Sequence, residues 1–214
     1  MARKVYMTKN GTVVPRVSKI TDLRNVEGYV PKKHIEAAMK TGGVTHGLVE
    51  EFLRYREHGL PKSNKVRLAM MAFHSYMNRT KAGVSTVNGK DFIEVPLVSE
   101  KHLFGGTPDA ILCINGKHIL TDFKTTSDLK KCGRLLDKYN PQLGAYYGAC
   151  KEKGIKLDGG QFLFLCTTTG EHKVKSYSVA SLEAHFECFL SLLGVYRAEK
   201  KAAAIRKTEM ALAA

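Results

Sequence analysis

Apolar positions recur at helical spacing through much of the first third of the chain. From Pro31 to about Asn78 they fall three and four residues apart in HIEAAMK, THGLVEEFLRYREHG and SNKVRLAMMAFHSYMN, predicting helices with Gly59-Leu60-Pro61 between the last two. Ahead of them, Asn10-Gly11 within KVYMTKNGTVVPRV predicts a small hairpin leading into VSKITDL. Strand character takes over at DFIEVPLVSEKHLF and continues through GGTPDAILCINGKHILTDFKTT. It gives way to a helix at NPQLGAYYGACKEKG, with Asn140 as a natural N-cap and Pro141 at the first helical position. GGQFLFLCTTTGEHKVKSYSV supplies a strand and a returning one, and SLEAHFECFLSLLGVYRAEKKAAAIRK closes the chain as an amphipathic helix with a basic end. Helices, then strands, a helix, a strand and a helix define a mixed α/β domain with a helical N-terminal part. No internal repeat or low-complexity linker interrupts this order, so 1–214 reads as one domain.

The stretch GGTPDAILCINGKHILTDFKTT raises a question of charge. Asn-Gly between alternating runs is a strong signal for a two-residue hairpin. With Asn115 and Gly116 as the turn, Ile114 faces Lys117, and pairing continues outward through 113/118, 112/119, 111/120 and 110/121. The next pair is Asp109 with Asp122. Like charges directly opposed across a ladder are destabilising, and a divalent cation would compensate them. Alternation places Lys124 on the face of Asp122 and turns Phe123 to the other.

Composition sharpens the picture. Thirty-four Lys and Arg against twenty Asp and Glu give +14, a charge that predicts a polyanionic partner. The sequence reads as having no apolar run of transmembrane length and no signal-peptide core, so nucleic acid is preferred to a membrane and a cytoplasmic location is expected. Cys113, Cys132, Cys150, Cys166 and Cys188 are scattered, without a C-x-x-C pair. That argues for reduced thiols and against a disulfide framework, a zinc knuckle or a cysteine-bound iron–sulfur cluster.

Several further residues can be set beside the hairpin. Glu94 lies just upstream, on what reads as a strand, within reach of the same cation. His46 and Glu50 share a helix face, as do Gln142 and Tyr146, each pair spaced i, i+4. A helix starting at Pro141 would also offer free N–H groups to a phosphate. Pro108-Asp109 followed by Asp122-Phe123-Lys124 resembles the core motif of the PD-(D/E)XK nucleases. Gly43 to His46 as G-x-x-H, GGTPD, and Gln142 to Tyr146 as Q-x-x-x-Y resemble its RecB-type exonuclease branch, which includes the mitochondrial genome maintenance exonuclease and many phage exonucleases. The likeness spans roughly residues 15 to 150. It implies a restriction-endonuclease-like core, a central mixed sheet flanked by helices, with 31–83 as a helical segment beside the active site. Some relatives carry four cysteines for an iron–sulfur cluster; the cysteines here are not so arranged.

The resemblance implies roles for these residues. Asp109 and Asp122 would bridge Mg²⁺ or Mn²⁺, with His46 and the Phe123 carbonyl completing the shell; an imidazole ligand favours Mn²⁺ at least as much as Mg²⁺. Lys124 would orient or deprotonate the attacking water, or stabilise developing charge; Glu94 joins the catalytic set. Gln142, Tyr146 and Thr125 would contact the strand. Glu50 and Glu51 read as ordinary surface acids, and the other histidines carry no assignment. The expected activity is a DNA exonuclease working from a free end of single-stranded or duplex DNA, in phage or bacterial recombination, repair or processing. Basic residues of the helical segment, among them Lys32, Lys40, Arg54, Arg56, Lys65, Arg67 and Arg79, would guide the strand. A restriction-like endonuclease and a binding module with a structural metal are the alternatives; closed circular DNA separates the first two, and the last predicts binding without turnover.

Overall fold

A computed structural model describes residues 4–24 and 32–212. Pro31, expected to open the helical segment, lies outside the described residues.

The N-terminal hairpin pairs β1 (Tyr6–Met7) with β2 (Val13–Val14) and leads into the short helix α1 (Val17–Thr21). Two long helices follow, α2 (Lys32–Tyr55) and α3 (Asn64–Thr80). HIEAAMK and THGLVEEFLRY thus fuse into one helix that runs through Gly42-Gly43, and Ser63 caps α3 by accepting from the Val66 N–H at 3.3 Å. Short strands β3 (Gly83–Val84), β4 (Thr86–Val87), β5 (Lys90–Asp91), β6 (Leu97–Ser99) and β7 (Phe104–Gly106) precede the principal hairpin of β8 (Ala110–Ile114) and β9 (Lys117–Thr126). The chain ends with α4 (Cys132–Glu152), β10 (Gly159–Cys166), β11 (His172–Tyr177) and α5 (Val179–Leu212).

The central sheet has five strands in the order β11-β10-β9-β8-β3. β9 and β10 are parallel, joined by the α4 crossover, and the remaining neighbours are antiparallel. Helices cover both faces, so β10 is buried along its whole length and carries the continuous apolar run FLFLC. Alternation splits that run: Phe162 and Phe164 enter a core shared with α1, α4 and α5, while Leu163 and Leu165 enter a second core shared with α2 and α3. The sheet is mixed and flanked by helices, as the sequence predicts.

The helix expected to start at Pro141 begins instead at Cys132, placing Asn140 and Pro141 in its interior. A proline there removes the N–H that would bond the carbonyl four residues earlier. That carbonyl belongs to Asp137, and it accepts from the Arg24 guanidinium at 2.7 Å. Asn140 does not cap; its Oδ1 accepts from the Tyr177 hydroxyl at 2.6 Å. The anion site expected at a Pro141 terminus is therefore absent.

The first half of α5 also corrects the sequence reading, since this helix is long and apolar enough, by length and composition, to cross a membrane. Leu182, Phe189 and Leu193 are buried in the core, so part of this apolar content is a packing stripe. Beyond Arg197 the helix is exposed throughout.

Candidate active site

The hairpin forms in the predicted register from Ala110↔Thr121 to Ile114↔Lys117. Asn115 and Gly116 both take positive φ, 51° and 77°, as a type I′ turn demands. The ladder stops short of Asp109, however. Ile93 bridges to Ala110 and the Glu94 N–H donates to the Asp109 carbonyl at 2.8 Å, both on the edge of β8 away from β9. Asp109 is not a ladder partner of Asp122. Its carboxylate folds back and accepts from the Phe123 N–H at 2.6 Å, while Oδ1 lies 3.2 Å from His46 Nδ1.

Alternation holds along β9. Phe123 packs into the α2–α3 core, edge-on to Phe73 and His46. On the other face the Lys124 ammonium approaches Asp122 Oδ2 at 2.6 Å, off the hydrogen-bonding direction, leaving that buried oxygen without a directed donor. Lys124 also stands 4.6 Å from the Tyr139 ring centroid and 3.4 Å from Gln142 Oε1. Gln142 donates its amide to the Tyr146 hydroxyl at 2.9 Å, and Tyr146 is buried. Extended backbone turns a residue's N–H and C=O to the same edge, so the Phe123 carbonyl faces the side occupied by Asp109.

The electrostatics follow from burial. It opposes the charged form of His46, but Asp109 outweighs it and raises the imidazole. It favours neutral Asp109 as well, yet His46, Lys124 and the Phe123 amide hold that carboxyl below its ordinary range. Asp122 is pushed up to about 6 by burial, with Asp109 adding to the rise and Lys124 only partly opposing it. Burial disfavours the Lys124 ammonium, but Asp122 and Asp109 overcome this and raise it.

A void of about 10 Å³, the size of one water or one ion, is lined by His46, Glu50, Glu94, Asp109 and Phe123 together with Val49 and Leu53. Among the described residues no three His, Cys, Asp or Glu side chains are arranged as they stand to hold a metal ion. The donors nevertheless suit one. Two ligands at right angles about 2.1 Å from a cation lie about 3 Å apart, close to the 3.2 Å between His46 Nδ1 and Asp109 Oδ1. Asp122, whose buried Oδ2 carries the Lys124 ammonium at 2.6 Å, is not among the residues lining this void.

Of the sequence-predicted residues, His46, Asp109, Asp122, Phe123, Lys124, Gln142 and Tyr146 form one linked set. Glu94 joins its edge, but not from a strand: it occupies a bend at φ 50° and pairs with Lys4 at 3.0 Å. Thr125 turns away from Lys124, its Oγ1 against Gly42 of α2. Glu50, read as a surface acid, lines the void and receives Arg54, whose guanidinium also reaches the Ile93 carbonyl at 3.0 Å. Arg54 is thus engaged within the protein rather than presented to a strand. The sequence reading missed Tyr139; its spacing of three from Gln142 and seven from Tyr146 is a helix-face signal, visible only if the helix starts before Asn140.

No family model matches the chain, and no curated protein does. Among solved structures, it is similar to a phage-related exonuclease from Haemophilus somnus 129PT, at 11% identity and TM-score 0.45, covering 93% of this chain and 97% of that one. It is also similar to LHK-Exo in complex with dAMP, at 14% identity and TM-score 0.39, covering 90% and 94% respectively.

Proposed function

We propose that this chain is a metal-dependent deoxyribonuclease that hydrolyses phosphodiester bonds from a free strand end, in phage or bacterial DNA recombination, repair or processing. One observation carries the reading: a largely buried lysine, Lys124, stands 2.6 Å from the buried carboxylate of Asp122, next to the Asp109–His46 pair. Buried acids are costly unless paired or ligating, and this chain gathers two of them where one lysine partly compensates.

His46, Asp109, Asp122 and the Phe123 carbonyl would hold Mg²⁺ or Mn²⁺. Bound there, the ion supplies charge for the phosphoryl oxygens and lowers the pKa of a water. The side chains do the rest. Lys124 orients or deprotonates the attacking water, or meets charge developing on the phosphate. Tyr139 and Gln142 fix the ammonium in place. Glu94, held by Lys4, would join the site as an outer acid.

The test is a gel assay with 5′- and 3′-labelled single-stranded and duplex oligonucleotides and closed circular DNA, with and without Mn²⁺. The reading expects metal-dependent shortening from an end and intact circles. Cleaved circles would assign an endonuclease, and binding without metal-dependent turnover would leave only a binding module.

A further inference from the structure

A second basic feature lies outside the catalytic set and outside α2 and α3. The N-terminal hairpin, α1 and α5 enclose an open cleft of about 590 Å³. Lys4, Arg16 and Lys19 line it with Tyr196, and Asp22 is the one acid in its wall. Lys19 and Lys200 both stand about 6 Å from the Tyr196 ring centroid, at 5.9 and 6.0 Å. Two ammoniums are thus gathered on one aromatic ring, beside Arg16. Among the described residues neither Arg16 nor Lys19 forms an ion pair, and like charges brought together this way call for an anion.

The cleft is tied rigidly to the candidate active site. Arg16 bridges to Gly105, whose N–H donates to the Pro15 carbonyl at 3.0 Å. Tyr6 packs so closely on Gly105 that a Cβ there would lie 2.4 Å from the Tyr6 Cβ, and its hydroxyl bonds Thr107 Oγ1 at 2.8 Å. GGTPD therefore carries the cleft wall at one end and Asp109 at the other. Lys4 spans the two, lining the cleft while paired with Glu94. Past the cleft, α5 continues exposed and basic through Arg197, Lys200 and Lys201.

We propose that this cleft binds the sugar–phosphate backbone of a nucleic-acid strand away from the scissile bond, Arg16 and Lys19 each neutralising a phosphate. The identity of the anion rests on the nuclease reading; the site itself rests on the cleft. Side chains that grip a backbone through charge give binding without sequence readout and a steep salt dependence.

The test is fluorescence anisotropy of the full chain with a labelled single-stranded 20-mer in EDTA, which prevents cleavage, across a potassium chloride series. Two lost contacts at about 0.7 each lower the salt slope by about 1.4, or about 25-fold in affinity at 0.1 M relative to 1 M salt. Arg16→Glu/Lys19→Glu should show at least that loss, with a melting temperature like the wild type. Lys117→Glu/Lys156→Glu, the same charge change at the far end of the sheet, should lose much less. Arg16→Gln/Lys19→Gln removes the charges without adding acids and serves if the reversed pair does not fold. An unchanged slope and affinity in the folded variant, a loss equalled by the Lys117/Lys156 pair, or a wild type that does not bind the 20-mer would each overturn the proposal. A selective loss in a chain that never cleaves DNA would keep the cleft and discard the nuclease reading.

Discussion

Replacing Asp122 by Asn tests how the site manages its buried charge. The Asp122 side chain is 3% exposed, and burial raises its carboxyl from 3.8 to about 6. At about 1.4 kcal/mol per pH unit, that gap amounts to about 3 kcal/mol. The sign follows from which state holds the proton. Between 3.8 and 6 the folded chain keeps a proton on Asp122 that the unfolded chain has released. The stabilisation is therefore complete below the unfolded value and is lost as pH rises through the folded one. Urea unfolding in EDTA at steps from pH 4 to 8, for wild type and Asp122→Asn, isolates this contribution in the difference curve. Asp109 and His46 titrate in both proteins, and because Asp122 helps to raise His46 and is itself raised by Asp109, the difference curve reports Asp122 with its coupling to them. The wild type should lose about 2.4 kcal/mol of this relative to the variant across that range, the scan starting just above the unfolded value. Adding Mn²⁺ at pH 7 should return stability to the wild type, because a ligand of the folded state alone stabilises it, and much less to the variant, which lacks the carboxylate. A difference curve flat from pH 4 to 7 would show that folding places no burden on Asp122, and the case for a cation beside it would fall.

The remaining predictions address chemistry and packing. Lys124→Ala should lower cleavage by about 100- to 1,000-fold, the usual cost of one preorganised electrostatic donor, while Mn²⁺ binding by calorimetry and oligonucleotide binding persist; cleavage at the wild-type rate would remove its catalytic role. Gly144→Ala places a Cβ 2.3 Å from the His185 backbone where α4 meets α5 and should cost about 1–3 kcal/mol in urea unfolding. Gly194→Ala, with nothing within 4 Å, should instead stabilise by about 0.5–1 kcal/mol; the same sign for both would refute the helix contact. Arg24→Ala should cost about 1 kcal/mol, and that cost should shrink in a Pro141→Ala background, where the restored N–H takes the Asp137 carbonyl. A double-mutant cycle with no coupling would mean that Arg24 does not satisfy that carbonyl.

What the sequence discloses about this molecule divides along the range of the forces involved. The register from Ala110↔Thr121 to Ile114↔Lys117 is legible because Asn115-Gly116 fixes a turn and alternation carries it outward, both local effects. Asp109 escapes that reasoning because its own carboxylate takes the Phe123 N–H that the next ladder bond would need, and Pro108 offers no N–H to continue the ladder. Glu94 sits in an extended-looking run, yet its φ of 50° takes it out of any strand and turns it toward Lys4. Asn140-Pro141 is a sound local start signal, overridden when Arg24 supplies from outside the donor that Pro141 lacks. That last misreading had a cost at the site. Starting α4 at Pro141 leaves Gln142 and Tyr146 as an isolated pair, whereas starting it at Cys132 adds Tyr139 one turn earlier on the same face. Tyr139 is the ring beside the Lys124 ammonium. The position of one helix boundary thus decides whether the lysine at the centre of the site is seen with its aromatic support or without it.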